Sequence, residues 1–214
     1  MKTFTQTLTK NEVLLRLEEH KRLDQIVQGI GFNPNSGRGC SVGCILDKYD
    51  HSAFETELGI PRWLAHLVDF IHEGLPNSEH VDWPIQFITA VPEGVDLDKL
   101  RHTIALRWLR GLEDTHPIVP LVIALHERAL TSGVGFYEWE QLWPMVEKTI
   151  GGPGNLAFPI ALAWATCRPD TFASGVNKVV ALACYFAPEE DWFAVQGLTW
   201  QRERDALLQD LPEG

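Results

Sequence analysis

The chain has 214 residues, 45% hydrophobic and 22% charged, and its 29 acidic residues against 18 Lys and Arg give a net charge of −11. This is globular composition, long enough to bury a core without disulfides or a structural metal. The acid excess opposes nucleic acid as the main partner, because that contact rests on cations meeting phosphates.

From Met1 to Lys10 there is no apolar run of the kind a secretory signal needs. The longest apolar stretches, between Leu156 and Ala187, are interrupted before the roughly 20 residues of a bilayer span. Cys40, Cys44, Cys167 and Cys184 are too sparse for a disulfide scaffold, so reduced thiols and a cytoplasmic location are expected, with no membrane partner.

Thr9 and Glu12 form a Thr-x-x-Glu capping box, followed by Val13, Leu14, Leu17, Leu23, Ile26, Val27 and Ile30 at mostly helical spacing. That helix is expected to end near Gly29 or Gly31, ahead of a loop from Gly31 to Gly43. Ser52-Ala53-Phe54-Glu55 reads as a second capping box, whose helix Gly59 stops. Ile60-Pro61 starts the next helix, with Trp63, Leu64, Leu67, Val68, Phe70 and Ile71 as its buried face. Gly74 is expected to close it in a left-handed turn, and Pro76 to prevent continuation.

Trp83-Pro84 reads as the start of a shorter helix limited by Pro92, and Asp96 as the cap of one carrying Leu97, Leu100, Ile104, Trp108 and Leu112. Two more helices are expected over Pro117–Thr131 and Glu138–Ile150, the second bent at Pro144. Gly151-Gly152-Pro153-Gly154 is a linker before the apolar helices Leu156–Cys167 and Thr171–Phe186, and a last helix begins at Pro188. Only Phe87-Ile88-Thr89-Ala90-Val91 favours a strand. The expected fold is therefore all-α, an irregular bundle of eight or nine helices without a substantial sheet. Residues 1–150 would form the main domain and 155–214 a helical extension.

Gly39-Cys40-Ser41-Val42-Gly43-Cys44, Tyr49-Asp50-His51-Ser52 and Glu57-Leu58-Gly59-Ile60-Pro61 together resemble a family of bacterial and phage-associated proteins. The resemblance covers about the first half of the chain. It implies a bacterial or phage origin but no reaction, cofactor or partner.

Chemistry is best sought between Gly37 and His51. Cys40-x-x-x-Cys44 has the spacing of a first zinc-ligand pair, and His51 offers a third donor, so zinc or iron could be held by Cys40, Cys44 and His51. The same segment could instead bind an anion through backbone N–H groups beside Arg38, Cys40 and Ser41. Asp50 would then orient His51 as a base toward a thiolate. Against both stands the reading that Cys40 and Cys44 are small buried hydrophobes in an ordinary glycine turn.

His66, Asp69 and Glu73 share a helix face, which reads as solvated. Lys99, Arg101, Arg107 and Arg110 follow an acidic segment over residues 40–98 and are expected to lie against it. Taken together, these features suggest a helical module that binds a protein partner or a second copy of itself. The alternative is a metal- or thiolate-centred enzyme or ligand binder built on the Gly37–His51 loop.

Overall fold

The computed structural model describes residues 1–76, 78–111, 117–150, 172 and 192–213. Its helices are α1 (Lys10–Arg22), α2 (Ser41–Leu46), α3 (His51–Leu58), α4 (Arg62–Gly74), α5 (Glu79–Ala90), α6 (Leu100–Arg110), α7 (Ile118–Thr131), α8 (Phe136–Ile150) and α9 (Trp192–Asp210). The strands among the described residues are β1 (Phe32–Asn33) and β2 (Arg38–Gly39), an antiparallel ribbon pairing Phe32 with Gly39. The fold is all-α, as the apolar periodicity predicts. The Gly151–Gly154 linker, the apolar stretches Leu156–Cys167 and Thr171–Phe186 (Phe172 apart) and the Pro188 helix start lie outside the described residues. No helix among the described residues is long and apolar enough to cross a membrane.

Two compact units form, Met1–Asp98 with Ala187–Gly214, and Lys99–Phe186. In the first, α1 packs on α2 and α5, while α4 packs on α2, α3, α5 and α9. Val13, Leu17, Val42, Ile45, Phe54, Leu64, Val68, Ile71, Trp83 and Phe87 are fully buried there. Helix α1 begins with the expected capping box, Thr9 accepting from the Glu12 N–H and Glu12 accepting from Thr9. It ends earlier than expected, at Arg22. Asp24 takes the left-handed conformation (φ 52°), its N–H donates to Lys21 O, and the Gln25 N–H donates to His20 O. This is a Schellman closure with aspartate in glycine's place. Arg16 and His20 then tie α1 to the end of α2 through Asp47, at 2.9 and 2.8 Å.

Three other helix boundaries depart from the sequence reading. Helix α3 is capped by Asp50, which accepts from the Ser52 N–H at 2.9 Å, rather than by Ser52. Helix α5 starts at Glu79 and carries Pro84 inside it, so Phe87–Ala90 is helical rather than extended. Helix α6 starts at Leu100, and Asp96 instead accepts from the Asp98 N–H. The Gly59 stop holds: φ is 70°, the Gly59 N–H donates to Glu55 O and the Ile60 N–H to Phe54 O.

In the second unit α7 packs against α6 and α8. Two cations of this segment find partners there, Lys99 at the start of α6 donating to Leu130 O at 3.0 Å and Arg110 pairing with Glu127 at 2.6 Å. These contacts lie on α7, not in the acidic 40–98 segment.

Candidate functional site

The glycines of the Gly-Cys-Ser-Val-Gly-Cys segment are there for backbone approach. A Cβ on Gly43 would collide with the Gly31 carbonyl, and one on Gly39 would come within 2.8 Å of the same oxygen. A Cβ on Gly31 would in turn sit 2.6 Å from the Tyr49 ring. The chain around Gly31 is thus pressed between α2 and Tyr49. This packing uses up the N–H groups of residues 37–40, which were expected to help cradle an anion. Gly37 donates to Asn33 O, Gly39 to Gln25 O and Cys40 to Ile30 O, while the Arg38 N–H points to Ser36 Oγ. Arg38 itself is exposed on β2.

The sequence candidates separate. Ser41 is buried and donates to Val68 O at 3.5 Å. Cys44 donates to Gly39 O at 3.3 Å, and burial pushes its thiol up to about 12. Asp50 serves α3 as its cap, so it does not orient His51. Cys40 and His51 converge instead on Asp69 of α4, a residue the sequence reading assigned to a solvated face.

Asp69 is only 9% exposed. Its Oδ2 accepts from the Tyr49 hydroxyl at 2.9 Å and from His51 Nε2 at 3.1 Å. Its Oδ1 is buried with no hydrogen-bond partner. Burial opposes ionisation of Asp69, yet the bonds from His51, the Cys40 thiol and Tyr49, in that order, outweigh it and hold the carboxyl below its usual range. The Cys40 thiol, which donates to Gly31 O at 3.4 Å, lies beside this carboxylate. Burial first, and Asp69 second, raise its pKa, so the sulfur is a thiol in the absence of a cation. His51 packs against the Tyr49 ring at 4.9 Å and stacks on His66 at 3.9 Å. Desolvation, with His51 next, lowers His66 to about 4.

At the mouth of the cluster is the exposed Glu73, whose Oε2 accepts from the Gly29 N–H at 2.8 Å. Gln28 donates to the His72 and Leu75 carbonyls, closing the end of α4 beneath it. Among the described residues, the group of three donors able to surround an ion is Cys40, Asp69 and Glu73, every pair of donor atoms lying within 4.8 Å. It shares only Cys40 with the Cys40, Cys44 and His51 set expected from spacing. The clue in the sequence was Leu67-Val68-Asp69-Phe70-Ile71, a carboxylate inside an apolar run. Compared with family models, curated proteins and solved structures, the chain matches none.

Proposed function

We propose that the chain is a helical binding protein whose site is the Asp69 cluster, where a small cationic or hydrogen-bond-donating ligand is taken up against Asp69 Oδ1. The buried, partnerless oxygen carries this reading. Native proteins leave few such atoms, and each costs about 1–3 kcal/mol, which an arriving donor or cation would recover. The reading narrows the ligand-binder alternative: Cys40, Tyr49 and His51 come from the 37–51 region, while α4 supplies the acceptor. Thermal melting against a panel of metal ions, ammonium and small amines tests it. At least one member should raise the melting temperature of the native chain and leave Asp69→Asn unmoved. A panel that shifts neither protein, or both equally, rejects it.

A second reading, association with a protein partner or another copy, draws on the other unit. Leu121 and Met145 are 47% and 52% exposed and line a groove of about 350 Å³ between α7 and α8, with Leu125 and Leu142 at its floor. Tyr137 is 81% exposed at the start of α8. Apolar surface of this kind supports an interface. Sedimentation at rising concentration should show self-association that Leu121→Glu abolishes; a monomer throughout argues for a foreign partner or none. The free buried thiols of Cys40 and Cys44 agree with a reducing, cytoplasmic setting.

A further inference from the structure

We infer that the ligand of the Asp69 cluster is a divalent transition-metal ion of the zinc type, held by Cys40 Sγ, Asp69 Oδ1 and a Glu73 carboxylate oxygen. This rests on the binding reading above and names its ligand.

The first support is the asymmetry of Asp69. Its Oδ2 is doubly saturated by Tyr49 and His51, at 2.9 and 3.1 Å, while Oδ1 has no partner. A ligating carboxylate looks like this: outer donors fix one oxygen so that the other is presented to the metal. The second is proximity. Cys40 Sγ and one carboxylate oxygen from each of Asp69 and Glu73 already lie within 4.8 Å of one another, and a tetrahedral zinc would need roughly 3.4–3.6 Å between ligands, given Zn–S near 2.3 Å and Zn–O near 2.1 Å. Two of the three are held in the core, so the exposed Glu73 is the arm that closes the gap.

The third support is charge. Among the described residues no Lys or Arg bonds Asp69 or Glu73; their polar contacts are Tyr49, His51, the Cys40 thiol and the Gly29 N–H. Two carboxylates that repel each other therefore share the site with no lysine or arginine between them, and the one imidazole that can pair with Asp69, that of His51, is committed to Oδ2. The donor types decide which ion. A thiolate with two carboxylate oxygens suits zinc or ferrous iron, whereas magnesium and calcium call for oxygen throughout and more of it. Binding balances as a proton exchange: the Cys40 S–H bond breaks, the sulfur lone pair goes to the metal, and the proton leaves to water on the Glu73 side. Three anionic donors against a dication leave the site at minus one, and the fourth position goes to water or to an exogenous ligand.

Cobalt(II) is the probe, because a thiolate on cobalt gives a charge-transfer band. The full chain, stripped with chelator, should take up a single equivalent of Co²⁺ with that band, and Zn²⁺ should bleach it. Cys40→Ser should lose the band and Cys44→Ser keep it. Tyr49→Phe, which removes one outer donor, should weaken binding roughly tenfold to a hundredfold while the band persists. Glu73→Gln changes an exposed side chain and should also weaken binding; it decides the matter if circular dichroism shows Cys40→Ser unfolded. No band in the native chain, or one that survives Cys40→Ser, overturns the metal. If metals fail while an amine still protects through Asp69, the binding reading stands without it; if nothing in the panel protects, both fall.

Discussion

Asp69 in one unit and His126 in the other are both buried, and each leaves one polar atom without a partner, yet their surroundings differ in charge. Asp69 stays ionised because His51, the Cys40 thiol and Tyr49 all bring donors to its carboxylate, two of them to Oδ2. His126 instead shares one proton with His102 across a 2.8 Å Nδ1–Nδ1 hydrogen bond, under the Trp139 ring at 4.9 Å, and its Nε2 is the orphan. Burial, then repulsion from His102 and Arg101, lowers His126 to about 3, and burial with Arg101 and Lys99 lowers His102 to about 4. Both imidazoles are therefore neutral, and the nearby cations repel a third. An anionic orphan draws a cation in; a neutral orphan beside arginine and lysine does not. The same defect thus marks a binding site in one place and a packing compromise in the other.

Acid should break the comparison most strongly. The folded values of about 4 and about 3 lie below the ordinary imidazole value of 6.5. As the pH falls below 6.5 the unfolded chain takes up protons that the folded pair refuses. Stability is whole above that value and drains away toward the folded ones, at up to about 1.4 kcal/mol per pH unit for each histidine. His66 and His72, both lowered to about 4 chiefly by burial, act in the same direction in the first unit. Asp69 contributes only below its usual value of 3.8. Melting scans between pH 7 and 4.5 should show the loss, and replacing the pair by His102→Phe with His126→Leu should flatten it. An unchanged slope removes the pair as its cause.

Gly43→Ala comes next, at about 3 kcal/mol or more, because the new methyl meets the backbone at Gly31 and cannot be relieved by turning a side chain. Denaturant unfolding would measure it, and a near-neutral result would mean that the wall behind Cys40 is not rigid. His126→Ala should cost about 2 kcal/mol, since it strands the His102 Nδ1 and opens a cavity. The double replacement should cost less than that single change, because no half-pair remains buried. A double variant worse than the sum would show that the hydrogen bond is worth more than its desolvation.

What could be read in the letters was what short-range physics decides. Thr9 with Glu12, and Gly59 after Leu58, act within one helical turn, and both appear where they were expected. The end of α1 was hidden because Asp24 performs a left-handed closure that sequence patterns assign to glycine. Gly74 was read as a left-handed closure; α4 does end on it, but its φ is not positive, and the residue is small because Trp200 of α9 lies against it, a contact no local window contains. The site divides in the same way. Cys40 and His51 were singled out from chemical type, whereas Asp69 looked like one more carboxylate on an amphipathic helix. Only the arrival of Tyr49 and His51 from the preceding loop and α3 turns that face inward.

The smallest effect is the one that separates the two aspartates beside His51. Asp50 is adjacent in sequence and was the expected orienter, yet its carboxylate accepts from the Ser52 N–H and hydroxyl at 2.9 and 2.5 Å. Those same bonds, with the Ser52 hydroxyl first, hold it below the usual carboxylate range. As a helix cap it should be worth about 1 kcal/mol, so Asp50→Ala should lower the unfolding free energy by that much and Asp50→Ser by less. Neither should change ligand or cobalt affinity, because His51 keeps its bond to Asp69. A large loss of binding in Asp50→Ala at unchanged fold would restore Asp50 as the partner of His51 and move the centre of the site from α4 to the start of α3.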